Sequence, residues 1–166
     1  MSPTPSPLRL EIHRVYEDPG TEGHGYRILV DRLWPRGISK HDAALDEWAR
    51  DVAPSTELRR WYRHDPARFD QFARRYHDEL TAPPASQAAA HLFDVARDQP
   101  VVLLTATRDL ERSGARVLQD HLWARQAVGG GERQHGPAGD GDSEAPRSTS
   151  GRTRAGGRDL TDDGGR

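Results

Sequence analysis

Four short runs along the chain have the pattern of β-strands. In residues 8–15, leucine and isoleucine alternate with polar residues, as in a strand with one buried face. Residues 26–30 are rich in strand-forming types, and Val101–Thr105 is almost wholly apolar, which is typical of a strand covered on both faces. The run 45–52 fits neither the strand period nor the helix period well, so both structures stay open for it. The glycines between the first two runs favour a hairpin-like loop over a phosphate-binding loop.

Four helices are predicted between and after these runs, over residues 55–63, 65–82, 86–97 and 111–126. The second has the clearest signals, because Asp65 can cap it and Pro66 suits its first position. Its apolar residues recur three and four positions apart, at Phe69, Phe72, Ala73, Tyr76 and Leu80. Since helices separate the last strands, we expect those strands to be parallel and joined by right-handed crossovers.

These elements predict one α/β domain over residues 8–127, with a small, mostly parallel sheet of about four strands flanked by helices. From residue 128 onward the chain holds eleven of its sixteen glycines and no aromatic residue. Such a segment buries too little apolar surface to offset an ordering entropy of roughly 1–2 kcal/mol per residue. We therefore expect residues 128–166 to form a disordered tail, and residues 1–7 to be a disordered N-terminus.

Composition excludes several classes of function. The 24 Lys and Arg residues are matched by 26 Asp and Glu, a formal net charge of −2, so nucleic acid is not expected to bind through a general basic surface. The absence of cysteine excludes disulfides and thiolate chemistry. No apolar run approaches about 20 residues, and the first seven residues do not resemble a secretory signal, which predicts a cytoplasmic protein without a membrane span. The histidines lack paired metal-ligand spacing, so we expect no metal and no cofactor; the sequence does not indicate an oligomeric state.

Charged and aromatic side chains follow three of the predicted strands, where ligands bind in open parallel sheets. They are Asp31, Arg32, Trp34, Arg36 and Lys40 after the second strand, Asp51 and Ser55 after the third, and Arg108 and Asp109 after the fourth. Arginine presents two parallel donors to a carboxylate or phosphate, and tryptophan offers a stacking face for a base. The pattern predicts a pocket for a small anionic or phosphate-bearing ligand, such as a nucleotide or an exposed nucleic-acid base.

Three of these residues are candidates for catalysis rather than for binding alone. Asp31 and Asp109 are candidate general bases, with the arginines stabilising developing charge. Lys40 is the only lysine among the 24 basic residues. Two explanations are open for this single lysine. One is a coding bias that converted exchangeable lysines to arginine, and the other is that Lys40 is an amine that arginine cannot replace.

A second interpretation makes the same charged residues structural. In this reading the aspartates and arginines form ion pairs that hold the loops to the domain. The protein is then a non-catalytic interaction module, and no small ligand stabilises it.

The segments YRILVDRLWPRGISK, DEWARDVAPSTELRRWYRHDPARFDQFARRY and VVLLTATRDLE resemble the YeaO-like branch of the family called domain of unknown function 488. The resemblance extends over residues 8–122. It implies a small bacterial α/β protein, attaches no reaction to it, and adds Arg59 and His64 to the ligand-binding candidates. Where the family commonly has His-Asn after its Arg-Asp pair, this chain has Arg112-Ser113-Gly114. If that His-Asn pair transfers protons, this chain binds a ligand without catalysing a reaction.

Overall fold

The computed structural model describes residues 6–18, 20 and 25–129; the predicted tail beyond residue 129, and residues 1–5, lie outside the described residues. The strands are β1 (Leu10–Arg14), β2 (Tyr26–Leu29), β3 (Glu47–Trp48) and β4 (Val101–Thr105). The helices are α1 (Lys40–Ala43), α2 (Thr56–Tyr62), α3 (Phe69–Leu80), α4 (Ala85–Asp98) and α5 (Gly114–Gly129). Three short 3-10 turns are Arg50–Val52, Pro66–Arg68 and Leu110–Arg112.

The four strands form one parallel sheet in the order β1-β4-β2-β3. Leu103 of β4 lies opposite Ile12 on one side and Ile28 on the other. The predicted fold class is confirmed. The expectation of a hairpin-like connection between β1 and β2 is wrong, because β4 lies between them and both pair with it in parallel.

Both faces of β4 are covered, as its apolar sequence predicts, and all five of its residues are buried. Leu103 belongs to the larger core, which the helices complete with side chains that include the buried Phe72, Tyr76 and Leu80 of the predicted α3 stripe. Val102, Leu104 and Leu29 point to the other face. There they pack against residues of the segment that follows β2, namely Trp34, Ile38 and Leu45.

The ambiguous run 45–52 contains a short strand and a turn rather than a single element. Only Glu47 and Trp48 pair with β2, and the 3-10 turn Arg50–Val52 follows. The short helix α1 was not predicted from the sequence. Its cap is Ser39, whose hydroxyl accepts a hydrogen bond from the Asp42 N–H (3.0 Å).

A buried ion pair connects the segment after β1 to β2. The Arg27 Nη1 donates to Asp18 Oδ1 (2.8 Å), and the two side chains are 6% and 8% exposed. Burial alone would raise the pKa of Asp18, but hydrogen bonds from His13, the Gly20 N–H and Arg27 lower that pKa to about 2. Asp18 is therefore ionised at neutral pH, with Arg27 as its buried charge partner.

Candidate functional site

Asp31 lies where β2 and β4 end side by side. Its carboxylate accepts hydrogen bonds from the Thr105 hydroxyl (2.8 Å) and from the Ala106 N–H (2.7 Å), so it joins the ends of the two strands. Burial raises the pKa of Asp31, although these two hydrogen bonds and the charges of Arg59 and His64 act in the opposite direction. This carboxyl group forms the polar floor of the site.

A cleft opens above this floor, at the carboxyl edge of the sheet; we call it the strand-end cleft. Its inner half has a volume of about 80 Å³ and its outer half about 310 Å³, and both are open to solvent. Both halves are lined by the same four residues, Asp31, Arg59, His64 and Thr107. The inner half is completed by Val30, Arg32, Pro54, Tyr62, Phe72 and Gly114, and the outer half by Tyr16, Leu33, Trp34, Pro35, Arg36 and Ala106.

The wall opposite Asp31 is basic. Arg59 projects from α2, whereas His64 follows the Arg63 cap at the end of that helix. Both Arg63 (φ 49°) and His64 (φ 56°) are left-handed, and the His64 ring lies near that of Tyr62, with centroids 5.6 Å apart and planes tilted by 56°. Such backbone conformations are uncommon outside glycine and are maintained by the surrounding structure. Within the described residues, the side chains of Arg59 and His64 make no hydrogen bond or ion pair.

Arg32 lines the inner half, but two of its donors are used within the protein. Its Nε donates to the Pro54 carbonyl (3.0 Å) and its Nη2 to the Ala53 carbonyl (3.1 Å). Both acceptors belong to buried residues just before α2. Arg32 therefore anchors the segment that positions Arg59.

Trp34 and Arg36 lie on the outer half. The Trp34 Nε1 donates to the Ile38 carbonyl (2.7 Å), and its ring meets that of Trp48 edge-on, at 5.4 Å between centroids. Arg36 is exposed, and its carbonyl accepts a hydrogen bond from the Tyr16 hydroxyl (2.9 Å). Its guanidinium makes no ion pair with the part of the chain that the structure describes.

Five of the predicted site residues do not line the cleft, and one of them is Asp51, which is exposed in the 3-10 turn Arg50–Val52. Ser55 caps α2 through the Leu58 N–H (3.1 Å) and is hydrogen-bonded to Glu79. Asp109 caps the turn before α5 and forms an ion pair with Arg112 (3.0 Å). Arg108 is exposed beside it, and Lys40 is exposed at the first residue of α1.

The structure therefore brings together Asp31, Arg32, Trp34, Arg36, Arg59 and His64 from the predicted set. It adds Tyr16 and Tyr62, which were not named as site residues, and it places Thr107, one of the residues that follow the fourth predicted strand, in both halves of the cleft. Tyr62 reads from the sequence as a core residue of α2, and it is indeed buried, with burial raising the pKa of its hydroxyl. The sequence did contain a signal for Tyr16, because Tyr16 follows the end of β1 as Asp31 follows the end of β2, and residues at these strand ends are site candidates.

The residues at the family's His-Asn position have structural roles in this chain. Arg112 pairs with Asp109, and the Ser113 hydroxyl donates to the Leu110 carbonyl (2.7 Å) while accepting from the Arg116 N–H (3.2 Å). Ser113 is 1% exposed and caps α5. Arg112 and Ser113 do not line the strand-end cleft, whereas Gly114, the third residue at this position, lines its inner half without a side chain.

Two kinds of feature are absent from the described ranges. No group of three or more His, Asp or Glu side chains is arranged to hold a metal ion there. Of the helices that the structure describes, none has both the length and the apolar character needed to span a bilayer.

Comparison with known proteins finds a family and several relatives that match most of the chain. Residues 9–137 match the family described as "Inactive DUF488-N3 subclade". An uncharacterized protein of Mycobacterium tuberculosis (strain ATCC 25618 / H37Rv) is 48% identical over 117 residues, which are 70% of this chain and 96% of that protein. The uncharacterized protein YeaO of Escherichia coli (strain K12) is 43% identical over 115 residues, 69% of this chain and 97% of YeaO. No solved structure matches the chain.

Proposed function

The chain belongs to the YeaO-like branch of the family called domain of unknown function 488, in the subclade described as inactive, and from this premise we propose that it is a non-catalytic binding domain. Its ligand is a small phosphate-bearing anion. The binding site is the strand-end cleft, with Arg59 and His64 as the principal contacts and Arg36 at the outer margin.

One observation carries this proposal: the basic side chains of the cleft lack acidic partners within the described residues. Arg36, Arg59 and His64 line the cleft and make no ion pair there. The facing carboxyl group, Asp31, is already hydrogen-bonded to Thr105 and Ala106, and burial raises its pKa. Arg36 and Arg59 are exposed, and arginine donors without a partner in the described part of the protein are well suited to bind a phosphate or carboxylate.

The position of the cleft supports the same function. In open parallel sheets, ligands bind beyond the carboxyl ends of the strands, and this cleft lies beyond the ends of β2 and β4. The chain as a whole carries a net charge of −2, so its affinity for an anion has to come from a local group of cations.

Three observations support binding without catalysis. Both oxygens of Asp31 accept hydrogen bonds from the protein, which leaves this carboxylate poorly placed to take a proton from a ligand. The other candidate base, Asp109, is paired with Arg112 away from the cleft. In place of the family's His-Asn this chain has Arg112-Ser113-Gly114: Arg112 and Ser113 stabilise local structure, and Gly114, which lines the cleft, has no side chain that could transfer a proton.

Calorimetric titration of the full-length protein with inorganic phosphate tests the proposal. We expect Arg59→Ala to weaken phosphate binding by about tenfold or more, because it removes a charge-assisted hydrogen bond from the cleft. Arg60→Ala is the matched control, since Arg60 is the next residue of α2, is also exposed and does not line the cleft. It should leave phosphate affinity unchanged.

Two results would reject the proposal. One is a wild-type protein that binds neither phosphate nor a small carboxylate, which favours the interaction-module interpretation. The other is an equal loss of affinity in Arg59→Ala and Arg60→Ala, which would indicate diffuse attraction to surface charge rather than a site.

A further inference from the structure

The outer half of the strand-end cleft is apolar on one side, unlike the basic wall opposite Asp31. Leu33 is 59% exposed and Tyr16 is 44% exposed, and the half-buried Trp34 lies beside them in the same half of the cleft. Grouped, exposed apolar side chains beside a polar cleft are typical of a surface that a ligand covers.

Tyr16 is held in a fixed orientation on this surface. Its hydroxyl donates to the Arg36 carbonyl (2.9 Å), and the Arg14 guanidinium lies 4.9 Å from the centroid of its ring. Arg14 is in turn paired with Glu17 (3.0 Å). A ring that is already oriented loses little conformational entropy when a planar group stacks on it, which favours binding.

The apolar surface and the basic wall adjoin each other. Arg59 and His64 line both halves of the cleft, whereas Tyr16 and Leu33 line the outer half alone. A phosphate held by Arg59 and His64 would therefore direct the rest of its ligand over Tyr16 and Leu33. The matching ligand has a compact anionic end and a planar aromatic end, one nucleotide in size.

From this arrangement we infer that the ligand is a nucleoside monophosphate, whose phosphate contacts Arg59 and His64 and whose base stacks on Tyr16. This inference rests on the proposed anion site. It specifies a free nucleotide rather than a nucleic-acid strand, because the chain has an excess of acidic over basic residues and strands are bound by an excess of positive charge.

Calorimetry with AMP, ribose 5-phosphate and inorganic phosphate tests the inference on the full-length protein. We expect AMP to bind about tenfold more tightly than ribose 5-phosphate, since stacking of one base on an aromatic side chain contributes an affinity of that order. Tyr16→Ala should remove this difference, so that the variant binds AMP and ribose 5-phosphate with equal affinity. Tyr16→Phe is the matched control, because it keeps the ring, and it should still prefer AMP.

The outcomes separate this inference from the proposal on which it rests. If AMP and ribose 5-phosphate bind with equal affinity and inorganic phosphate also binds, the assignment of a nucleotide as ligand is overturned. The proposed anion site then still stands. A Tyr16→Ala variant that also loses its affinity for inorganic phosphate would overturn the nucleotide assignment, since Tyr16 would then support the anion site rather than bind a base. A 5′-phosphorylated oligonucleotide that binds much more tightly than AMP would overturn the assignment to a free nucleotide. Failure of all the phosphates to bind would reject the anion site itself.

Discussion

Arg27→Ala is expected to lower the free energy of unfolding by about 3–5 kcal/mol, the largest effect of any substitution considered for this chain. The substitution leaves the Asp18 carboxylate, only 8% exposed, without its charge partner. It also removes donors from the carbonyls of Ala43 (3.2 Å) and Ala44 (3.0 Å) at the end of α1. Urea denaturation at pH 7 measures the loss.

Arg112→Ala is the control for this prediction. Arg112 pairs with Asp109 at 3.0 Å, but both side chains are about half exposed, at 50% and 49%. Exposed pairs of this kind contribute about 0–1 kcal/mol, because water screens the charges. Similar losses in the two variants would contradict the conclusion that burial makes the Arg27–Asp18 pair important.

Arg32→Ala should lower the free energy of unfolding by about 2 kcal/mol, because the carbonyls of Ala53 and Pro54 lose a charged donor. The comparison variant is Arg108→Ala. Arg108 is exposed and makes no hydrogen bond or ion pair within the described ranges, so its removal should change stability by less than about 0.5 kcal/mol. Urea melts of the two variants, with and without phosphate, provide the measurement.

This prediction separates two roles that the sequence cannot distinguish. Residue types and strand-end positions group Arg32 with Arg36 and Arg108 as ligand-binding cations. If Arg32→Ala is as stable as wild type and abolishes phosphate binding, Arg32 is a ligand contact and its role as an anchor is wrong. If it is destabilised and still binds phosphate, the anchor role is supported.

The hydrophobic pattern was sufficient to predict the sheet and most of the helices. The apolar run Val101–Thr105 indicates a doubly covered parallel strand, and the stripe from Phe69 to Leu80 indicates α3. Because parallel strands end at one edge, their polar end residues could be placed together, and this located Asp31 correctly at the cleft.

The order of the strands could not be predicted in the same way. The glycines between β1 and β2 are compatible with a hairpin, yet β4 lies between these strands. Which strands become neighbours depends on pairing between residues some 75–90 positions apart, as between β4 and the first two strands. No local sequence pattern indicates which of these distant strands will pair.

The hydrogen-bonding partners of the site residues also could not be predicted from the sequence. Ser55 is a strong candidate both for an anion site and for a helix cap, and only the folded chain shows it capping α2 beside Glu79. The local sequence around Arg59 predicts only a solvated helix face. The family resemblance was the sole reason to include Arg59 among the ligand-binding candidates. The turn through Arg63 and His64, which forms the basic wall, contains no glycine, so the sequence gives no signal of its left-handed backbone.

The location of the anion site is tested most directly by two-dimensional 15N–1H NMR of the full-length protein during titration with phosphate. An anion site in the strand-end cleft predicts progressive shifts of the backbone amides of Arg59, His64 and Thr107, which line both halves of the cleft. The amides of Lys40 on α1 and Arg108 should stay unchanged at the same phosphate concentrations. Shifts centred on Lys40 or Arg108, or no shifts at the three cleft residues at saturating phosphate, would contradict it.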